Sequence, residues 1–245
     1  MHPKLSIITV TYNAESFIER TLGSISNQSY DNIESIIVDG LSKDKTLELV
    51  NQFKIQNSIV VSEKDKGLYD AMNKGIDMAQ GEYICFMNAG DVFYSNNTLS
   101  QVFASSHGED FIYGDTIILD ENGDLKPYHK QKPDEKSISY RSFINGMVIC
   151  HQSMIIKKSC AEKYDFSHYR LACDIDWTIR SLRNCKSFKD SGIFISKFLE
   201  GGVSQSNRGK AVKERFWICV HQFGWIPTIF QNIKMVLAHF YKKIN

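Results

Sequence analysis

Proline is scarce in this chain, with four in 245 residues, at positions 3, 127, 133 and 227. Glycine stands at an ordinary 15 and aromatics are abundant, so collagen-like and low-complexity classes are excluded. An excess of one charge is also missing, since 29 Lys and Arg oppose 28 Asp and Glu. The resulting net charge of +1 excludes a dedicated nucleic-acid binder, whose footprint is a strong basic surplus. No C-x-x-C pair occurs among the six cysteines at 85, 150, 160, 173, 185 and 219. Neither a zinc site nor a small disulfide framework fits that scatter, and reduced thiols in a cytoplasmic protein are expected. Apolar runs stay well short of the roughly 20 residues that a membrane-spanning helix needs. Met1-His2-Pro3-Lys4 leads straight into Leu5–Val10, which lacks the length and the cleavage site of a signal peptide. Phosphate loops are absent too: neither G-x-x-x-x-G-K-[ST] nor G-x-G-x-x-G follows the first apolar run.

What is present is an alternation of two periods. Leu5–Thr11, Ile33–Asp39, Ser58–Val61 and Tyr83–Met87 read as short buried strands. Glu15–Asn27, Thr46–Phe53 and Leu68–Ala79 place apolar residues at helical spacing between them. Strand and helix in strict alternation predict an α/β fold, a mostly parallel sheet with helices on both faces. The second half is mixed. Phe111–Tyr113, Thr116–Leu119, Ser153–Ile156 and Ile193–Phe198 are expected strands, Glu121-Asn122-Gly123-Asp124 an expected hairpin turn, and Asp176–Leu182 an expected helix. From Arg208 onward seven Lys and Arg meet a single acid, Glu214, so the end of the chain carries +6 and residues 1–207 carry −5.

Ligands of open parallel sheets bind beyond the carboxyl ends of the strands. Those ends here are Thr11-Tyr12-Asn13, Asp39-Gly40, Glu63-Lys64-Asp65 and Asn88-Ala89-Gly90-Asp91, a row of polar and acidic groups. Asn13 and Asp39 have a second reading as caps of the helices that follow them. A nucleotide bound without a phosphate loop needs another countercharge. A Mg²⁺ or Mn²⁺ held by a carboxylate supplies one, and Asp91 is placed for it.

These residues carry a resemblance. Ile7-Ile8-Thr9-Val10-Thr11-Tyr12-Asn13 and Val38-Asp39-Gly40-Leu41-Ser42-Lys43-Asp44 resemble the nucleotide-binding elements of family 2 glycosyltransferases. Ser62–Gly75, with its Lys66-Gly67-Leu68-Tyr69-Asp70-Ala71-Met72-Asn73 core, is similar to the branch serving bacterial capsule, exopolysaccharide and lipopolysaccharide synthesis. Phe86-Met87-Asn88-Ala89-Gly90-Asp91 occupies the place of the metal-binding Asp-x-Asp motif. His151-Gln152-Ser153 and Ala172-Cys173-Asp174-Ile175-Asp176-Trp177 match later elements, and the likeness covers about residues 4–205. Two departures stand out: Asn88 and Gly90 replace frequent acids, and Leu41 stands where a small residue is common.

The resemblance implies a GT-A, Rossmann-like fold and inverting transfer of a sugar from a nucleotide-sugar, a UDP-sugar above others, to a hydroxyl. The acceptor it implies is a glycan or a lipid-linked glycan. Thr9, Tyr12, Asn13 and Asp39 are then expected at the uracil and ribose, with Lys66, Asp70, Asn73 and Asn88 on the nucleotide and donor-sugar side. Asp91 is the expected ligand of Mg²⁺ or Mn²⁺, and Asp174 the expected general base. His151 reads either as a phosphate or acceptor contact or as a histidine hydrogen-bonded beside a core strand. Asp176 reads either as an acceptor contact or as a helix cap. Residues 1–92 form the nucleotide-binding half on this reading, 93–207 the acceptor-binding half, and 208–245 a basic amphipathic helical tail. Phe216, Val220 and Phe223 make one stripe of that tail; beyond Pro227, Ile229, Ile233, Val236, Leu237 and Phe240 make another. With Trp217, Trp225 and the lysines, the tail is expected to lie on an anionic membrane surface, or else to pack on the domain or on a second subunit. The expected location is cytoplasmic, peripheral on the inner face of the cell membrane.

Two other functions compete. A non-catalytic sugar-nucleotide-binding subunit has no use for a positioned base, which Asp174 supplies beside Asp91. A nucleotidyltransferase carries a Gly-rich basic loop after its first strand, and Thr11-Tyr12-Asn13-Ala14-Glu15 is neither.

Overall fold

The computed structural model describes residues 2–53, 55, 57–119, 125–128, 132–199 and 207–244, the side chains of Pro127 and of those beyond Leu237 excepted. The expected turn at 121–124, the Gly201-Gly202 pair and the side chains of Phe240, Tyr241, Lys242 and Lys243 lie outside what is described. The first half alternates as its periods predict: β1 (Leu5–Thr11), α1 (Ile18–Ser26), β2 (Ile33–Asp39), α2 (Thr46–Gln52), β3 (Ser58–Ser62), α3 (Leu68–Met78) and β4 (Tyr83–Phe86). These strands pair in parallel, in the order β3-β2-β1-β4. Every residue of β1 is buried, as both faces of a parallel sheet require. Ile8, Val10, Ile36, Val38, Ile84 and Phe86 pack to one side with Met72 and Ile76 of α3. Leu5, Ile7, Tyr83 and Cys85 pack to the other with Ile25 of α1. Gly75 lets α3 approach so closely that an added Cβ would stand 2.3 Å from Ile8.

The second half continues the same sheet. It adds β5 (Val92–Phe93), α4 (Thr98–Ala104), β6 (Phe111–Leu119), β7 (Leu125–Pro127), 3₁₀ turns at Tyr140–Asn145 and His151–Ser153, and β8 (Met154–Lys157). Next come α5 (Cys173–Asn184), β9 (Phe188–Leu199), α6 (Arg208–Phe223) and α7 (Trp225–Ile244). From β4 the order runs β8-β6-β9-β5, with β8 antiparallel to both neighbours and β6 parallel to β9. The three longest ladders of the sheet are parallel. The two strands expected at 111–113 and 116–119 are a single strand whose register shifts at Gly114, where a Cβ would stand 2.6 Å from the Ile193 carbonyl. The expected helix at 176 begins three residues earlier, at Cys173, which brings Asp174 into its first turn.

The tail is two helices. Their break falls at Gly224 (φ 86°), whereas Pro227 sits in the first turn of α7, where a missing N–H costs nothing. Ile218 of α6 belongs to the largest core cluster, and Cys219 and Val220 are buried beside it. No described helix is long and apolar enough to cross a membrane. All six cysteines are free.

At the edge of the sheet away from the expected site, Glu34 is buried at the start of β2. Its carboxylate pairs with Lys4 and accepts from the Ser6 hydroxyl and the backbone amides of Gln80 and Gly81. Burial pushes this carboxyl up, but Lys4, Ser6 and the Gln80 amide outweigh it and hold it below the usual range. Its stabilisation is therefore present above the unfolded value and is lost as pH falls through the folded one. Glu34→Gln is expected to cost about 2–4 kcal/mol in urea unfolding, with nucleotide affinity unchanged. A loss below about 0.5 kcal/mol would show that the cluster contributes no more than a surface pair.

Candidate active site

Beyond β1 and β2, two loops are stitched into one ledge. Asp39 ends β2 fully buried, and its Oδ2 accepts from the Ser42 amide (3.0 Å) and the Ser62 hydroxyl (2.6 Å). The Ser42 hydroxyl donates to Asp39 Oδ1 and accepts from the Asn13 amide (2.9 Å), while Asn13 Oδ1 accepts from Lys43 N (2.8 Å). This network holds Asn13 (φ 47°) and Leu41 (φ 61°) in the left-handed region, which asparagine tolerates and leucine rarely adopts. Tyr12 projects from the ledge, 59% exposed. Beside it, a Cβ on Gly40 would come within 2.5 Å of Asp65 Oδ2 and 3.4 Å of the Tyr12 ring. Tyr12, Gly40 and Asp65 thus form a narrow floor. Asp65 was not among the expected site residues, although it ends the third polar strand terminus.

A second cluster gathers at the end of β4. His151 Nε2 lies 3.3 Å from Asn88 Nδ2, and its Nδ1 lies 3.6 Å from Asp174 Oδ2. An amide donating to Nε2 leaves the ring proton on Nδ1, facing Asp174. Asp174 stands against an aromatic wall in which Tyr164 stacks on Tyr69 (5.2 Å) and on Trp177 (5.1 Å). Burial pushes the Asp174 carboxyl up, against the pull of the facing His151. Asp174 Oδ1, Asn88 Oδ1 and the Tyr164 hydroxyl are all buried without a hydrogen-bond partner among the described residues. Three such atoms in one place leave hydrogen-bonding capacity free there.

Several expected residues are placed differently. Thr9 is fully buried within β1, and its hydroxyl and that of Thr11 at the strand's end are both buried without a partner among the described residues. Asn73 spends its amide on the backbone of Tyr164, donating to its carbonyl (2.9 Å) and accepting from its N–H (2.7 Å). It therefore holds the aromatic wall. Asp70 accepts from the Lys66 amide (3.0 Å) at the start of α3, and the Lys66 side chain is exposed. Asp176 is buried, with its oxygens on Arg180 Nε (2.7 Å) and Gln222 Nε2 (2.7 Å), and so ties α5 to α6.

Asp91 does not offer an open carboxylate. It is 4% exposed, Gln152 Nε2 donates to its Oδ2 (2.7 Å), and the Leu199 amide donates to its Oδ1 (3.2 Å). Burial pushes it up to about 6, opposed by those donors and by His151. Gly90 is held at φ 105°, and a Cβ there would meet Leu199 at 3.2 Å. Asn88 brings no charge, and no group of three candidate metal ligands occurs among the described residues. This donor set offers a cation one buried carboxylate, already hydrogen-bonded through each oxygen. What Asp91 does hold is Gln152, and with it the turn that carries His151.

The model of the family Glycosyl transferase family 2 matches residues 6–165. The chain belongs to that family. The match ends before Asp174, so the family 2 domain proper accounts for the ledge, Asn88 and His151. A PGL/p-HBAD biosynthesis glycosyltransferase of Mycobacterium tuberculosis is 32% identical over 191 residues, covering 74% of this chain and 71% of its own. The crystal structure of S. aureus TarS residues 1–349 with UDP-GlcNAc superposes at a TM-score of 0.69 with 19% identity, covering 90% of this chain and 67% of that one. The Pyrobaculum calidifontis mannosyltransferase PcManGT, in complex with GDP-Man and Mn²⁺, gives 0.65 with 16% identity, over 93% and 67%. At these identities the two structures show a shared fold. This family 2 glycosyltransferase spans about two thirds of the TarS fragment.

Proposed function

We propose that this glycosyltransferase moves a sugar from a UDP-sugar to a hydroxyl of a glycan or lipid-linked glycan, with inversion. The observation that carries the reading is the convergence of Asn88, His151 and Asp174 beside the Tyr12–Gly40–Asp65 floor. In it, Tyr12 stacks on the base and Asp65 accepts a base N–H; Asp39 acts by shaping the ledge. Asp174 removes the acceptor proton during attack, with the His151 ring 3.6 Å from its carboxylate. Inversion in one displacement needs no covalent intermediate, and the cluster contains no activated serine or cysteine.

A divalent cation is general in the family, but Asp91 is buried with each oxygen already accepting a hydrogen bond, so its hold on a cation is expected to be weak. The UDP dissociation constant is expected to change by less than about threefold when Mn²⁺ is replaced by EDTA. Calorimetric titration of UDP, GDP and dTDP under both conditions tests this and the nucleotide together. Binding of UDP above the others supports the donor class. A cation dependence beyond about tenfold would mean that Asp91 leaves Gln152 to bind metal.

The tail contacts the membrane on this proposal. Thr228, Gln231 and Asn232 lie on the inward side of α7, with Thr228 fully buried and Gln231 bonded to Asn145. Ile226, Phe230 and Ile233 face outward and are 84%, 69% and 54% exposed. A helix that turns its polar stripe inward and its apolar stripe outward, beside Trp217, Trp225 and basic residues, matches an anionic lipid surface. On this proposal the enzyme lies peripherally on the inner face of the cell membrane.

A further inference from the structure

Glu214, the single acid from residue 208 onward, lies on α6 and receives an unusual set of donors. Its carboxylate accepts the backbone N–H of Arg170 (3.1 Å to each oxygen), Leu171 (2.7 Å) and Ala172 (3.1 Å). These are the three residues immediately before α5, and Ala172, its N-cap, has no side chain able to cap. Three successive amides on one carboxylate form an anion nest, at the helix end where the macrodipole favours negative charge. Asp174 follows two residues later. The same stretch is pinned on its other sides: Arg170 Nη1 donates to the Lys66 carbonyl (3.3 Å), and the Tyr169 hydroxyl bonds His221 Nδ1 (2.6 Å). Asp176 reaches Gln222 on the same helix (2.7 Å). Thus α6 grips the start of α5, and Glu214 is the grip on its backbone.

We infer that Glu214 is a positioning residue for sugar transfer: by fixing residues 170–172 from α6, it aims Asp174 at the acceptor hydroxyl. The tail is on this inference part of the catalytic apparatus as well as a surface contact. It rests on the assignment of Asp174 as the base. Misplacing a reacting group by about 1 Å costs on the order of 100-fold in rate, which sets the scale. Glutamine keeps one carbonyl acceptor and loses the charge, whereas alanine keeps neither.

Full-length Glu214→Gln, Glu214→Ala and Asp174→Asn are compared for kcat, donor KM, UDP affinity and hydrogen exchange across residues 169–173. Glu214→Gln is expected to lower kcat about 10-fold and Glu214→Ala about 100-fold, with donor KM and UDP affinity within about twofold. Exchange at 170–172 rises in both. Should alanine prevent folding, the glutamine variant still decides. Unchanged kcat in Glu214→Gln beside an inactive Asp174→Asn overturns the inference and leaves the base assignment standing. Loss of kcat and UDP binding together would make Glu214 a structural residue only, which also overturns it. An active Asp174→Asn removes the base assignment itself, whatever Glu214 does.

Discussion

Asp174→Asn is expected to slow sugar transfer by about 10²–10⁴-fold while UDP affinity stays unchanged and the protein becomes more resistant to heat. The three effects share a cause. The carboxylate lies beside Tyr164 and Trp177, with one oxygen unpartnered, and burial pushes its pKa up. An acid raised on folding binds more protons in the native state than in the unfolded one, so its contribution to stability falls as pH climbs through that window. At neutral pH the ionised group is therefore a burden to the fold. Asparagine removes the charge and nearly keeps the shape, so stability should rise by on the order of 1 kcal/mol, about 2–4 °C in Tm. In the wild type, kcat/KM should fall on acidification at a pH above the ordinary carboxylate range, because the base must be ionised. Retention of more than a few per cent of activity by Asp174→Asn, in protein shown to be folded, would remove it from the role.

The strand ends were legible because the sheet's polarity alone selects them: Tyr12, Asp39, Asn88 and Asp91 all fall where the ladder stops. What each does there was not legible. Asp39 and Asp91 share the same chemistry at equivalent positions, yet both are consumed by partners elsewhere in the chain, Ser62 for one and Gln152 for the other. Local sequence gives no sign of a partner 61 residues away. Asn73 and Asp176 are similar cases, bound to Tyr164 and Gln222. Glu214 read as a lone countercharge in a basic tail because its partners are backbone amides, which no side-chain pattern reveals. Among elements, β5 is two residues long, too short for a period to register, whereas α4 was missed although α2, of the same length, was read. Gly114 divided β6 in the sequence pattern, whereas in the sheet it admits β9 at close range and the strand runs on.

Placing glutamate at Ile226, Phe230 and Ile233 together is expected to reduce binding to anionic vesicles by more than about 100-fold. Transfer to a water-soluble acceptor should stay within about twofold of wild type, since none of the three side chains reaches the ledge or the cluster at Asp174. The magnitude follows from area. Full burial of a large apolar side chain is worth about 1.5–3 kcal/mol, and about half of that for each of three half-immersed residues sums to about 3 kcal/mol. New carboxylates add repulsion from the lipid charge. The basic residues Lys210, Lys213, Arg215 and Lys234 contribute the long-range part, so wild-type binding should weaken with salt and on zwitterionic vesicles. A second copy of the chain would cover the same stripe without regard to lipid. Wild-type dimers that the three glutamates dissociate, together with vesicle binding that they leave unchanged, would assign the face to self-association instead. The polar inward side decides what the helix contributes otherwise: Thr228 and Gln231 seat it on the domain, so its apolar residues are free to act outward in either case.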